Sequence, residues 1–279
     1  MNIVEEKRGW NPAYDVGASS ILGTRKYQQD SAYYCIDSDQ ILAVVCDGMG
    51  GLEGGERASQ TAIQQMIQDF RSRPESLPMP DFLTGEAQRM DQAVTALRND
   101  RGQALGAGTT LVAASFQGDQ MYWVSVGDSM IYLIRGERIR PLNVEHNYRL
   151  LLKQRLDAGL ISREEFERES VTPQADALIS FLGMNHVQYI DSNRTPLKLE
   201  PGDIVVLCSD GIYKSLNESQ VWAMVTDNDL DMTIAADRLT DMAMNRRVRG
   251  QDNTTAVLIR YLGKQEDGRD DLLKLHENV

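Results

Sequence analysis

The sequence has little of what several kinds of functional site require. Only three cysteines and three histidines occur in 279 residues. Cys35, Cys46 and Cys208 stand far apart, and Cys46 and Cys208 close apolar runs in which a thiol behaves as a small hydrophobe. Neither a disulfide nor a zinc site is therefore expected. His146, His186 and His276 show no ligand spacing, which leaves any metal site to oxygen donors. Positive charge is also scarce, with 29 Lys and Arg against 41 Asp and Glu, a net charge of −12. Affinity for a nucleic-acid backbone comes from clustered cations, and no such cluster stands out, so nucleic acid is not an expected partner. No apolar run approaches the ~18 residues of a membrane span, and residues 1–10 are charged rather than signal-like. A cytoplasmic protein with no membrane contact is expected.

What is present is an ordinary globular composition in a chain long enough to bury a substantial core. Alternating stretches at 14–18 and 31–35 read as a pair of strands joined by a polar connector. The continuous apolar run 41–46 reads as a buried strand that halts at Asp47-Gly48. Beyond Gly55 the period changes: Ala58, Ala62, Met66 and Phe70 form one helical stripe. A second helix is expected over 85–103, followed by three strands at 109–116, 120–126 and 129–135 arranged as an antiparallel meander. Residues 142–183 are charged and helix-prone, with a capping pattern at Ser162 and Glu165, and suggest an insertion or flap. A strand at 203–208, a helix opened by Asn217 and Gln220, a further helix and a last strand at 254–261 complete the pattern. Strands cluster early, in the middle and at the end with helical pairs between them, which is an α+β rather than a βαβ arrangement.

The informative regularity is aspartate at strand ends. Asp47 ends one apolar run, Asp128 follows another, Asp210 a third, and Asp252 precedes the last. Taken singly, Asp-Gly is a common turn signal, and 48–55 is either a phosphate-cradling loop or a flexible connector, without the Gly-Lys-Ser/Thr of a Walker loop. If the strands lie side by side, however, their ends converge. Carboxylates so placed cannot all stay ionised without compensation, which predicts raised pKa values or bound Mg²⁺ or Mn²⁺.

The order and content of six segments resemble the metal-dependent protein phosphatases of the PPM family, the type 2C serine/threonine phosphatases, in a bacterial-like form. They are Arg25-Lys-Tyr-Gln-Gln-Asp30, Val45-Cys-Asp-Gly-Met-Gly-Gly51, Gly108-Thr-Thr110, Val126-Gly-Asp-Ser129, Ser209-Asp-Gly211 and Gln251-Asp-Asn253. The resemblance runs from about 16 to 261. It implies an α+β fold, a central antiparallel β-sandwich flanked on both faces by helix pairs with a flap at 142–183, forming one catalytic domain over 1–262 before an acidic tail at 263–279. It further implies that Asp47 bridges two Mn²⁺ or Mg²⁺ ions, that Gly48 offers its carbonyl to one, and that Asp210 and Asp252 complete the other shell. Asp128 matches a residue associated with a possible third, weaker ion, Asp30 a carboxylate adjoining the metal waters, and Arg25 the arginine that holds the substrate phosphate. The implied reaction is in-line hydrolysis of phosphoserine or phosphothreonine by activated water, with no covalent protein intermediate. The implied partners are phosphoprotein substrates, including a cognate Ser/Thr kinase.

Some positions depart from the pattern: Gln29 where some relatives carry glutamate, Met130 after Gly-Asp-Ser, and Glu145-His146-Asn147 with Thr172-Pro173 in the flap. Two other functions compete, a catalytically weak phosphatase-like binding module and a phosphatase for a small phospho-metabolite. Turnover of p-nitrophenyl phosphate separates the first, and relative rates on phosphopeptides and metabolites separate the second.

Overall fold

The computed structural model describes residues 2–227, 230–245 and 250–263. Strands β1 (Ile3–Lys7), β2 (Tyr14–Ile21), β3 (Asp30–Ile36) and β4 (Ile41–Met49) lead into helices α1 (Gly51–Ser72) and α2 (Met79–Thr95). Then come β5 (Gly108–Thr109), β6 (Leu111–Gln117), β7 (Gln120–Val126), β8 (Met130–Arg135) and β9 (Arg138–Pro141). Helices α3 (Tyr148–Asp157) and α4 (Arg163–Glu169) and a 3-10 turn (Pro173–Asp176) follow. The chain finishes with β10 (Asp191–Ser192), β11 (Leu197–Lys198), β12 (Ile204–Cys208), α5 (Asp210–Tyr213), α6 (Glu218–Val225), α7 (Met232–Asn245) and β13 (Thr254–Tyr261).

Among the described residues these strands make two sheets, one ordered β1-β3-β4-β6-β7-β10 and the other β2-β13-β12-β8-β9. The alternation of side chains explains their stacking. Ile41, Ala43 and Val45 of β4 point into the space between the sheets, beside Val112, Ala114, Leu133, Val205, Leu207 and Ile259. Leu42, Val44 and Cys46 point the other way, onto Ala58, Ala62 and Met66 of α1 and Leu83 and Met90 of α2. On the far side Val206, Cys208 and Leu258 pack under Val221 of α6 and Ala235, Ala236 and Leu239 of α7. Runs 41–46 and 204–208 are therefore apolar throughout because each strand is covered on both faces, and a sandwich between helix pairs results.

Four expectations about elements need correction. The stretches at 14–18 and 31–35 are strands but not a pair: β2 joins β13 in one sheet, whereas β3 lies between β1 and β4 in the other. The three strands from 109 to 135 are not one meander, because β7 pairs with β6 but β8 pairs with β12 and β9. Gly127, with φ of 100°, turns the chain from one sheet to the other where a hairpin was expected. The second helix runs Met79–Thr95 rather than 85–103: Pro80 is tolerated in its first turn, and the chain beyond it folds back around Asn99, whose side chain accepts from the Arg101 and Gln103 amides. Finally, β1 pairs parallel to β3, so the sandwich is antiparallel except at that edge. Three of the five β1 residues are charged, which hid its strand character. The expected tail lies, from residue 264 onward, outside the described residues.

Between α1 and α2, burial pushes the Glu86 carboxyl up to about 8, with Arg89 opposing and Asp69 adding to the rise. Of the two Glu86 oxygens Arg89 engages only Oε2, at 2.6 Å, while also bonding Asp69, and Glu86 Oε1 is buried without a partner. Since the folded-state value exceeds the unfolded value near 4.5, the folded chain holds a proton that the unfolded chain releases, and stability falls as pH rises from about 4.5 to about 8. Glu86→Gln should flatten this slope, gaining on the order of 1 kcal/mol over the parent between pH 6 and pH 9 in urea unfolding.

Candidate active site

At one end of the sandwich the strand termini converge. Asp30 at the start of β3 is the register partner of Asp47 near the end of β4. Asp128 lies on the connector between sheets, Asp210 opens α5 directly after β12, and Asp252 stands just before β13. Asp47, Gly48, Asp128, Asp210 and Asp252 all line one cleft of about 720 Å³, together with Arg25, Thr110 and Lys214. Asp176 and Leu178, from the 3-10 turn and the segment after it, line it too. Asp30 is buried and is not among the lining residues.

Each carboxylate is aimed by backbone held elsewhere. Thr110 Oγ1 accepts from the Asp47 amide at 2.9 Å, Thr109 Oγ1 donates to the Asp47 carbonyl at 2.9 Å, and the Thr110 amide donates to the same carbonyl at 2.8 Å. The Gly-Thr-Thr segment thus fixes the end of β4 from the neighbouring strand. The Gly127 amide donates to His146 Nδ1 at 3.1 Å and the His146 amide returns a bond to the Gly127 carbonyl at 2.8 Å, pinning the turn that carries Asp128. Burial lowers His146 to about 4, so the ring is neutral and able to accept at neutral pH. Gln251 Nε2 donates to the Gly211 carbonyl at 3.1 Å and steadies the turn of Asp210. Asn253 stitches the 22–29 loop into place, donating to the Leu22 and Tyr27 carbonyls and accepting from the Gln29 amide at 2.8 Å. That loop carries Arg25, whose Nη2 lies 2.5 Å from Asp252 Oδ2.

The electrostatics report the convergence. Burial first, then the charges of Asp30, Asp210, Asp128 and Asp252, hold the Asp47 carboxyl well above the usual carboxylate range. Asp30 is pushed up to about 7, chiefly by burial; hydrogen bonds from Ser209 and Thr255 oppose this, while Asp210 and Asp252 add to it. Asp128 is raised to about 6 by burial and Asp210, with Lys214 opposing. For Lys214 itself burial disfavours the ammonium, but Asp210, Asp128 and Asp47 outweigh it and raise the pKa. Negative charge concentrated in this way calls for cations.

Among the described residues no three His, Cys, Asp or Glu side chains form a ready ligand group for a metal ion. Two of the acids are instead engaged by cationic side chains, Asp252 by Arg25 and Asp210 by Lys214. The residues nonetheless fit divalent ions. The donors are oxygens, Asp30 Oδ1 and Asp210 Oδ1 are buried without a partner, and the backbone at Gly48 is drawn against Gly55 so tightly that a Cβ there would sit 2.1 Å from the Gly55 carbonyl oxygen. The cysteines offer no nucleophile: all three are buried, and burial pushes the Cys46 and Cys208 thiols up.

All the sequence-predicted residues therefore meet, Asp30 from beneath. Sequence reasoning missed Lys214, and it missed what Thr109, Thr110, His146 and Asn253 do for the acids. Lys214 had a signal, its +4 spacing from Asp210, which is visible only once 210–213 is known to be helical. The other four bond across 19 to 231 residues of sequence; the resemblance marked the segments that hold them, but nothing local showed which groups they bond.

The protein phosphatase 2C family model matches residues 18–242. The serine/threonine phosphatase stp of Listeria welshimeri is 26% identical over 250 residues, covering 88% of this chain and 94% of that protein. A crystal structure of the PPM Ser-Thr phosphatase MsPP from Mycobacterium smegmatis, in complex with cacodylate, aligns with a TM-score of 0.67 at 28% identity, covering 88% of this chain and 97% of its own. The serine/threonine phosphatase PstP/Ppp of Mycobacterium tuberculosis aligns with a TM-score of 0.73 at 25% identity, covering 90% and 99%. Ordered strand-end acids, an arginine at the cleft and a matched segment of this length lead to one conclusion: the chain belongs to the protein phosphatase 2C family.

Proposed function

We infer that this phosphatase removes phosphate from phosphoserine and phosphothreonine in proteins, using two Mn²⁺ or Mg²⁺ ions. The observation that carries this reading is the meeting of Asp47, Asp128, Asp210 and Asp252 in one cleft that also holds Arg25. Asp47, the Gly48 carbonyl, Asp210 and Asp252 would together hold the two ions, with Asp128 beside them in the cleft. Bound there, divalent cations supply Lewis-acid charge against phosphoryl oxygens and lower the pKa of water. The chain's own residues do the rest. Arg25 is anchored through Asp252 on one nitrogen, leaving its remaining N–H groups to fork onto phosphate oxygens. Asp30, buried behind the acids and held by Ser209 Oγ at 2.7 Å, keeps a carboxyl that can carry or release a proton near neutral pH. The 142–183 segment acts as the flap of one catalytic domain spanning 1–262, with Asp176 and Leu178 facing the incoming peptide. A cytoplasmic location and a cognate Ser/Thr kinase among the substrates complete the proposal; no helix among the described residues is long and apolar enough to cross a membrane.

Rates on phosphopeptides, p-nitrophenyl phosphate and a panel of phospho-metabolites, with and without Mn²⁺, test the substrate class. Phosphopeptides should be preferred and chelator should abolish turnover; a preferred metabolite, or no turnover at all, overturns the reading. Arg25→Ala should lower kcat/KM on phosphopeptide by about 10–100-fold, the ~1.5–3 kcal/mol of charge-assisted hydrogen bonds, with Arg25→Lys recovering part of it.

A further inference from the structure

Asp128 and Asp210 already share a cation that belongs to the chain. Lys214 Nζ is hydrogen-bonded to Asp210 Oδ2 and lies 4.0 Å from Asp128 Oδ2. Its backbone is not free to carry it elsewhere, because Lys214 caps α5 and its amide donates to the Asp210 carbonyl at 2.9 Å. The side chain consequently lies one helical turn from Asp210 on the same face, reaching over the acid toward the connector that bears Asp128. That connector is itself pinned by His146, so the two acids and the ammonium are placed by two separately fixed pieces of backbone, α5 for Asp210 and Lys214 and the connector for Asp128.

We propose that the Lys214 ammonium is the resident cation of the Asp128–Asp210 pair, so that this chain takes up two divalent ions and refuses a third at Asp128. The proposal rests on the two-ion reading above and adds to it. A hard divalent ion seeks about six oxygen ligands, and between Asp128 and Asp210 it would find two carboxylates and a positive charge already in contact with one of them. To enter it would have to expel a tethered ammonium whose effective concentration is set by its own short helix, or sit against a like charge. Lys214 also remains able to stabilise Asp128 when Asp210 turns to an ion of its own. It is thus a positioning residue for the acids.

Binding counts test this directly, using calorimetric titration with Mn²⁺ and electron paramagnetic resonance of the free ion as readouts independent of turnover. The wild-type chain should bind two Mn²⁺, and Asp128→Asn should leave that number unchanged. Lys214→Met and Lys214→Gln should each gain a further, weaker site, tightened at least 10-fold over any residual binding in the parent, and Asp128→Asn in the Lys214→Met background should abolish it. The proposal is overturned if Asp128→Asn lowers the wild-type count by one, or if both Lys214 variants keep the parental count. The first comparison does not depend on the lysine variants folding, and Lys214 is half-exposed, so its replacement opens no core cavity. A wild-type chain that binds no Mn²⁺ overturns both this proposal and the two-ion reading. Two bound ions without turnover of any phosphopeptide overturns only the proposed activity.

Discussion

Asp47→Asn should fold at least as well as the parent in chelator and yet lose turnover by on the order of 10³-fold, about 4 kcal/mol of transition-state stabilisation. The two effects have opposite signs for one reason. In the folded chain the Asp47 carboxyl is held among Asp30, Asp210, Asp128 and Asp252, so its ionised form is disfavoured and the amide removes that repulsion. The same concentration of charge is what cations would bind, so the variant should also lose most of the thermal stabilisation that Mn²⁺ gives the parent, because that stabilisation grows with the logarithm of ligand concentration over Kd and vanishes once Kd exceeds the concentration used. Melting curves with and without Mn²⁺, run beside p-nitrophenyl phosphate kinetics, separate the outcomes. A variant that retains turnover within 10-fold of the parent, or that unfolds in chelator, would show that Asp47 is a structural residue.

Gly48→Ala should cost both stability and activity. A methyl group there would meet the Gly55 carbonyl oxygen at 2.1 Å and the Gln29 carbonyl oxygen at 2.6 Å, and both are backbone atoms that cannot rotate away. The crossing of β4 over the first turn of α1 must then open. Overpacking of this kind costs about 1–3 kcal/mol, occasionally more, and here the shift falls on the residue next to Asp47. The same shift would stretch the bond from the Gly48 amide to the Gln29 carbonyl, 3.1 Å in the native chain, and with it the loop that leads back to Arg25. Urea unfolding should show a lower midpoint, and at a denaturant-free temperature where the variant is still folded its turnover should fall by at least 10-fold. Gly51→Ala is the matched control for space alone, since nothing lies within 4 Å of its added carbon, although its φ of 48° carries its own strain. A Gly48→Ala chain as stable and active as the parent would mean that the close approach of Gly55 is not needed.

Much of this site was readable from the order of residues along the chain. Apolar runs of five or six residues ending in aspartate are local patterns, and Asp47, Asp128, Asp210 and Asp252 do gather at one end of the sandwich. The helical stripe of α1 and the capping pair Asn217 and Gln220 were legible for the same reason, since period and cap chemistry act within a few residues. Apart from the bounds of α2, the errors fell where partners are distant. Whether β2 and β3 pair, and whether β8 continues the hairpin of β6 and β7, depends on which sheet buries each strand, and alternation alone cannot tell one covered face from another.

Contiguous residues were enough for most element types, β1 excepted, for the acidic residues at their ends and for the family to which they belong. Tertiary structure alone decided that the strands divide between two sheets, that Thr109, Thr110, His146 and Asn253 aim the acids, and that Lys214 rests against Asp210 near Asp128. The physical reason is range: periodicity and capping are settled within a helical turn or a strand, whereas the compensation of buried charge is settled by whichever groups the packed sheets bring within a few ångströms.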